Sequence, residues 1–184
     1  MRLFIAIDLP EEMKDKLYAV AKEFSMPGVS ITRKETYHVT MQFLGERKEE
    51  DLDNIKSSLS EISAKKFRMQ ISGVSCFRPE RINVIFAGIT EGRGETEAIY
   101  SQVSSSFQAH GIPCEDEQEY TPHVTFLRVR RLKQESKATL LSLLEKHQRD
   151  DFGFADVSSI SLKRSTPTRE GYVHELLYKV DLSP

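Results

Sequence analysis

The chain has 184 residues, enough for one sizeable domain, and its 39% apolar and 29% charged residues are the balance of an ordinary water-soluble fold. A formal charge of −2 and a pI near 6.2 exclude a protein that coats long nucleic acid electrostatically, but not one that reads a single phosphate or an RNA end with a few local charges. The two cysteines, Cys76 and Cys114, have neither metal-ligand spacing nor the numbers for a disulfide framework, so a reducing, cytoplasmic compartment is expected.

The opening MRLFIAIDLPEE turns acidic too early for a signal peptide, and no apolar run approaches the ~20 residues that span a bilayer. Arg2 to Asp8 is a compact apolar run, expected as a strand. Pro10, Glu11 and Glu12 suit a first helical turn, and Met13, Leu17, Val20, Ala21 and Phe24 then recur at helical steps. Pro27-Gly28 stops that helix, Val29 to Thr32 is a short strand, and YHVTMQFLGE (37–46) is a longer one. Glu49 to Ala64 has helical spacing. Phe67 to Phe77 and Arg81 to Ile89 read as two strands of a hairpin turning at Arg78-Pro79-Glu80. Thr96 to Ala109 is expected as a helix ending at His110-Gly111, Pro122 to Arg130 as a strand, and Glu135 to His147 as a helix. Phe152 to Arg164 and Gly171 to Val180 would close the chain as two strands around a turn at Ser165–Thr168.

This order looks like one plan used twice. FIAID leads through a helix to His38-Val39-Thr40, and NVIFAGI leads through a helix to His123-Val124-Thr125, 85 positions on. So long a period indicates a duplicated lobe rather than a solenoid, and each lobe is too small to bury much core alone. An α+β fold follows: residues 1–184 as a single bilobal domain, its pseudo-twofold halves each carrying one His-x-Thr triplet, with antiparallel sheets lining a central cleft and helices outside.

Strand alternation puts His38, Thr40 and Gln42 on one face and Val39, Met41 and Phe43 on the other. It likewise sets His123, Thr125 and Leu127 opposite Val124, Phe126 and Arg128. Facing imidazoles suit phosphodiester cleavage, where a nucleophile loses a proton while the leaving oxygen gains one. The threonine hydroxyls can donate hydrogen bonds to the non-bridging oxygens, and the scheme needs no metal. Duplication of a purely structural strand would explain the repeat, but not why both copies keep polar residues on one face.

HVTMQFLGE and HVTFLRVR resemble the paired HxTx motifs of the two-histidine phosphoesterase superfamily. RLFIAID followed by Pro-Glu-Glu, and the late SLKRSTPT, are similar to its RNA 2′,3′-cyclic phosphodiesterase branch, also called 2′-5′ RNA ligase. The likeness spans essentially the whole chain and implies the bilobal fold. It implies a hydrolase that opens a terminal 2′,3′-cyclic phosphate to a 2′-phosphomonoester, with reversible 2′-5′ ligation of RNA as an accompanying activity. His38 would then be the proton donor to the leaving 3′-oxygen, His123 the proton acceptor that activates water, and Thr40 and Thr125 would hold the phosphate. Arg128 matches an arginine that follows the second motif in this branch, and a guanidinium fork fits two phosphate oxygens. Alternation points Arg128 away from His123, so a bulge or the strand's end must re-aim it. No cofactor and no metal are expected; the partners would be RNA 3′ ends or small cyclic-phosphate nucleotides, with no membrane, and a monomer is expected.

Other substrates of this chemistry are ADP-ribose cyclic phosphate and 2′-5′ oligonucleotides; a non-catalytic RNA-end binder and a metallohydrolase are the remaining alternatives. Arg128, Arg130, Arg131 and Lys133 could guide RNA or be a solvated strand end, and Arg33 and Lys34 carry the same ambiguity. Phe43 is expected in the core, His110 at a helix cap and His147 exposed on a helix end. His174 has no assigned place; no His-x-His or HExxH spacing ties it to a metal.

Overall fold

The computed structural model describes residues 1–115 and 119–184. In chain order the elements are β1 (Arg2–Asp8), α1 (Glu11–Glu23), β2 (Val29–Ile31), β3 (His38–Glu46), α2 (Leu52–Ser60), β4 (Phe67–Ser75), β5 (Val84–Ile89), α3 (Arg93–Ala109), β6 (His123–Val129), α4 (Gln134–His147), β7 (Asp151–Val157), β8 (Ser159–Thr168) and β9 (Gly171–Asp181). Most follow the hydrophobic period of the sequence. In α1, Pro10 caps the helix with its carbonyl, Glu11 and Glu12 face the positive end of the dipole, and Met13, Leu17 and Ala21 are buried.

The strands pair antiparallel in the order β7-β4-β5-β6-β3-β1-β8-β9, with β2 added beside β6. Read outward from the centre, β3-β1-β8-β9 and β6-β5-β4-β7 are the two lobes of an α+β fold. They join through one residue pair, Val39 opposite Val124, the middle residues of the two triplets. Helices cross over: α1 lies against β6 and β7, while α3 lies against β3. The buried apolar residues of both lobes form one continuous cluster.

The end of the chain differs from the expected pair of strands. Phe152 to Arg164 divides at Ser158 into β7, which pairs with β4, and β8, which pairs with β1. One residue links strands that stand near opposite ends of the order, so the sheet must curl until those ends approach. Hydrogen bonds from Leu182 N to Ser158 O (2.8 Å) and from Lys66 N to Ser183 O (2.8 Å) hold that end. Ser165–Thr168 is the end of β8 rather than a turn; the reversal falls at Arg169-Glu170.

Gly28, at φ +91, sits where the turn before β2 meets the end of β6. A Cβ there would lie 2.9 Å from Arg130 O and 3.1 Å from Arg131 O, so only glycine allows the approach. That contact helps fix the far end of the β6 strand, on which the second triplet stands.

Candidate active site

Each triplet begins where a carbonyl two residues upstream turns toward the histidine. His38 Nδ1–H donates to Thr36 O at 2.6 Å, and His123 Nδ1–H donates to Thr121 O at 2.7 Å. The same bond recurs 85 residues apart, and in both cases it fixes the ring and places the second nitrogen, Nε2, away from the backbone. On β3, Nε2 of His38 lies 2.9 Å from Thr40 Oγ1. Val39 and Val124 are fully buried on the opposite face, as strand alternation requires. With those valines paired, antiparallel geometry brings Thr40 toward His123 and His38 toward Thr125, at roughly 5 Å between Cβ atoms if the ladder continued.

Alternation then fails at matched positions in both strands. Ala6 faces Thr40 but Ile5 faces Gln42, so Met41 is an extra residue; Phe86 faces Thr125 but Ile85 faces Leu127, so Phe126 is extra. Each β-bulge turns two successive side chains into the core and reverses the pattern beyond it. Gln42 and Leu127, expected beside the histidines, are buried instead. Gln42 donates to Glu115 O (3.2 Å) and accepts from Ser104 Oγ (3.0 Å), tying β3 to α3. Phe43, expected in the core, is 37% exposed on the His38 side, its ring 6.3 Å from that of Phe4. Arg128 is likewise turned out of the core, onto the face of His123 and Thr125.

Several site residues escaped sequence reasoning. Phe4 forms a floor beneath His38, ring centroids 4.8 Å apart, and His174 stands 5.1 Å from His38 and 4.7 Å from Phe4. Across the junction, Phe77 and Phe86 flank His123 at 4.9 and 5.1 Å, and Phe77 is 48% exposed. Asp8 lies opposite His38 and accepts from Ser161 Oγ (2.9 Å) and from the ammonium of Lys163. The polar alternation Ser161, Lys163 along β8 is the one sequence signal that could have pointed here.

These neighbours set the charges. Burial, then His174, push the His38 imidazole down to about 3, against the pull of the Thr36 carbonyl and Asp8. Burial and Lys163 likewise bring His174 down to about 4. Burial alone would raise the Asp8 carboxyl, but Lys163 and Ser161 outweigh it and hold the group below the usual range. At neutral pH His38 is therefore uncharged, with Thr40 O–H donating to its Nε2, while an ionised Asp8 pairs with Lys163.

The remaining candidates lie elsewhere. Arg130, Arg131 and Lys133 line a separate groove of about 470 Å³ with Arg81 and Lys137. Lys34 is held by Asp15 and Glu11 of α1, and Arg33 by Glu35. His110 does end α3, its Nε2 at 2.8 Å from Glu61. His147, expected exposed, is 4% exposed and bonded through both nitrogens to Asp150 (2.6 Å) and Glu23 (3.2 Å). Among the described residues, no three His, Cys, Asp or Glu side chains converge as metal ligands, and no helix is long and apolar enough to cross a membrane.

A family model described as LigT-like phosphoesterase matches residues 7–86. A protein of Methanocaldococcus jannaschii named RNA 2′,3′-cyclic phosphodiesterase is 31% identical over 96% of this chain and 98% of its own length. One of the same name from Aeropyrum pernix is 34% identical over 79% of this chain and 82% of its own. Among solved structures, one from Thermus thermophilus superposes with a TM-score of 0.79 at 25% identity, covering 98% of this chain and 97% of that one. Escherichia coli LigT crystallised with 3′-AMP gives 0.80 over 100% and 98%, at 19% identity, a likeness of fold.

Proposed function

The chain belongs to the LigT-like phosphoesterase family, and from that premise we propose that it hydrolyses terminal 2′,3′-cyclic phosphates of RNA by acid–base catalysis between His38 and His123. The observation that carries this reading is the matched pair of Nδ1 anchors, which gives both rings the same tautomer and turns one Nε2 from each lobe away from its backbone. A water adds to phosphorus and gives a proton to His123 Nε2. The P–O3′ bond breaks as O3′ takes a proton from His38 Nε2. The products are a 2′-phosphomonoester and a free 3′-hydroxyl, and solvent restores both imidazoles. Thr40, Thr125 and Arg128 hold the phosphoryl oxygens, where hydrogen bonds to developing charge accelerate the displacement. No metal takes part, and residues 1–184 work as one domain of two pseudo-twofold halves.

His38 must carry a proton when O3′ leaves, yet burial keeps it neutral in the free protein. The anionic phosphoryl group supplies the missing countercharge. On binding, His38 takes up a proton at Nε2, and its bond with Thr40 reverses direction, leaving the threonine hydroxyl hydrogen for a phosphate oxygen. With a 5′-hydroxyl in place of water, the same displacement forms an O5′–P bond as the P–O3′ bond of the cyclic phosphate breaks, His123 taking the hydroxyl proton and His38 protonating O3′, which gives the 2′-5′ ligation of this branch.

Incubating the protein with an RNA oligonucleotide ending in a 2′,3′-cyclic phosphate, in excess chelator, tests the proposal. A 2′-phosphate product is expected. A 3′-phosphate would contradict the leaving group, and activity restored only by added zinc or manganese would contradict the metal-free scheme. Binding without turnover would make the protein an RNA-end binder. Parallel assays on ADP-ribose cyclic phosphate and 2′-5′ oligonucleotides rank the substrates.

A further inference from the structure

His174 sits in this cleft without a role in the two-histidine scheme. It projects from β9, opposite Ser165 of β8, and reaches over Phe4 to the edge of the His38 ring. Its Nδ1 is buried and has no hydrogen-bond partner among the described residues. A neutral imidazole has one N–H and one lone pair, and a buried N–H without an acceptor is much the costlier of the two to leave unmet. The lone pair therefore belongs on Nδ1 and the hydrogen on Nε2, which is not among the buried unpartnered atoms and opens to solvent. This is the opposite tautomer to that of His38 and His123, whose Nδ1–H groups are committed to backbone carbonyls.

We propose that His174 is a third imidazole of the phosphate site, a substrate-binding residue that donates its Nε2–H to a phosphate oxygen on the His38 side of the cleft. The inference rests on the phosphate reading of the cleft given above. Ring centroids 5.1 Å apart make the bridge feasible, since two hydrogen bonds of ~2.8 Å across a phosphate edge of about 2.5 Å span up to ~8 Å. The charged neighbours fit a donor rather than a proton carrier. Asp8 is satisfied by Lys163 and Ser161, Glu175 by Arg164, and burial with Lys163 disfavours an imidazolium at position 174. His174 thus adds an N–H beside His38 without adding a charge that would compete for its proton.

Long-range ¹H–¹⁵N spectra at pH 7 read the tautomers directly. His174 is expected as the Nε2–H form, with His38 and His123 as Nδ1–H forms, and inorganic phosphate should shift the His174 Nε2 resonance together with that of His38. An Nδ1–H form for His174, or phosphate that shifts His38 alone or neither, overturns the proposal. On uridine 2′,3′-cyclic monophosphate, His174→Phe keeps the ring packing but removes the donor, so KM should rise about tenfold or more with kcat little changed. His174→Gln returns an N–H near the Nε2 position and should recover most of that loss. A KM within twofold of wild type for His174→Phe, or equal damage from both variants, would also overturn it. A wild-type protein that binds phosphate through His174 yet leaves the cyclic nucleotide intact would refute the proposed hydrolysis and keep this site.

Discussion

Replacing His38 by glutamine keeps an amide N–H for the Thr36 carbonyl and removes a group that titrates. In the unfolded chain this histidine titrates near 6.5, and in the folded protein at about 3. The folded value is the lower one, so its contribution to stability is fully present above pH 6.5 and is lost as the pH falls toward 3. At pH 4 the unfolded imidazole is protonated by a factor of about 300 while the folded one is largely neutral, a penalty of about 3 kcal/mol. Partial solvent access to the ring trims this to roughly 2–3 kcal/mol, a large share of the ~5–15 kcal/mol that holds a domain together. Urea unfolding of wild type and His38→Gln at pH 7 and pH 4 measures it, because protonating carboxylates are common to both proteins. Wild type should lose about 2–3 kcal/mol more than the variant between the two pH values. Equal losses would show that the imidazole is not desolvated as described, and the neutral starting state assigned to His38 would fail with it.

Alanine at His123 should lower turnover at least ~10²-fold with the urea midpoint preserved, and near-wild-type rates would sink its role as the base. Arg128→Lys keeps the charge but not the fork, so kcat/KM on the cyclic phosphate should fall about tenfold, and Arg128→Ala should fall further. A lysine variant equal to wild type would reduce the contact to simple charge. The bulges make a stability prediction with no reference to activity. Phe126→Ala removes a core ring and should cost about 3–5 kcal/mol, whereas Phe43→Ala, on the cleft face, should cost about 1 kcal/mol or less by chemical denaturation. Similar costs at the two positions would contradict the reversal of alternation after Met41.

Alternation carried the sequence reading correctly through Thr40 and Thr125, because up to that point each strand follows its own two-residue period. It failed at Gln42, Phe43 and Leu127 because a bulge belongs to a pair of strands. Whether Met41 is an extra residue depends on β1, and nothing local to HVTMQF records that partner. The same bulge at Phe126 delivers Arg128 to the cleft, so the arginine's placement was legible only as a condition to be met. Phe152–Arg164 reads as one strand because no proline and no Asn-Gly or Asp-Gly pair interrupts it; the division at Ser158 comes from two different neighbours, β4 and β1. His174 and Lys163 reach His38 through the β1-β8-β9 pairings, contacts more than 100 residues apart in sequence, which no motif spacing encodes. His147 was misplaced for a related reason: its acceptor Glu23 belongs to α1, at the other end of the chain.

The crossed helices bear on what can vary in such a protein. Because α1 covers β6 and β7 while α3 covers β3, each lobe depends in part on a helix from the other half of the chain, even though α4 packs on β4 within its own lobe, and a chain cut between them would strip that cover from both central strands. The distance between the two imidazoles is therefore a property of the whole interior, set by β3 meeting β6 at one valine pair and by helices pinning each strand from the opposite lobe. A mutation cannot widen the cleft by rotating one lobe without repacking both. On the phosphodiesterase reading proposed above, adaptation to a larger or smaller RNA end is left to what lies outside that frame: the segment around Phe77 and the β8–β9 hairpin with His174. In mechanical language, the two imidazoles are mounted on a welded chassis, and only the fittings around them are exchangeable.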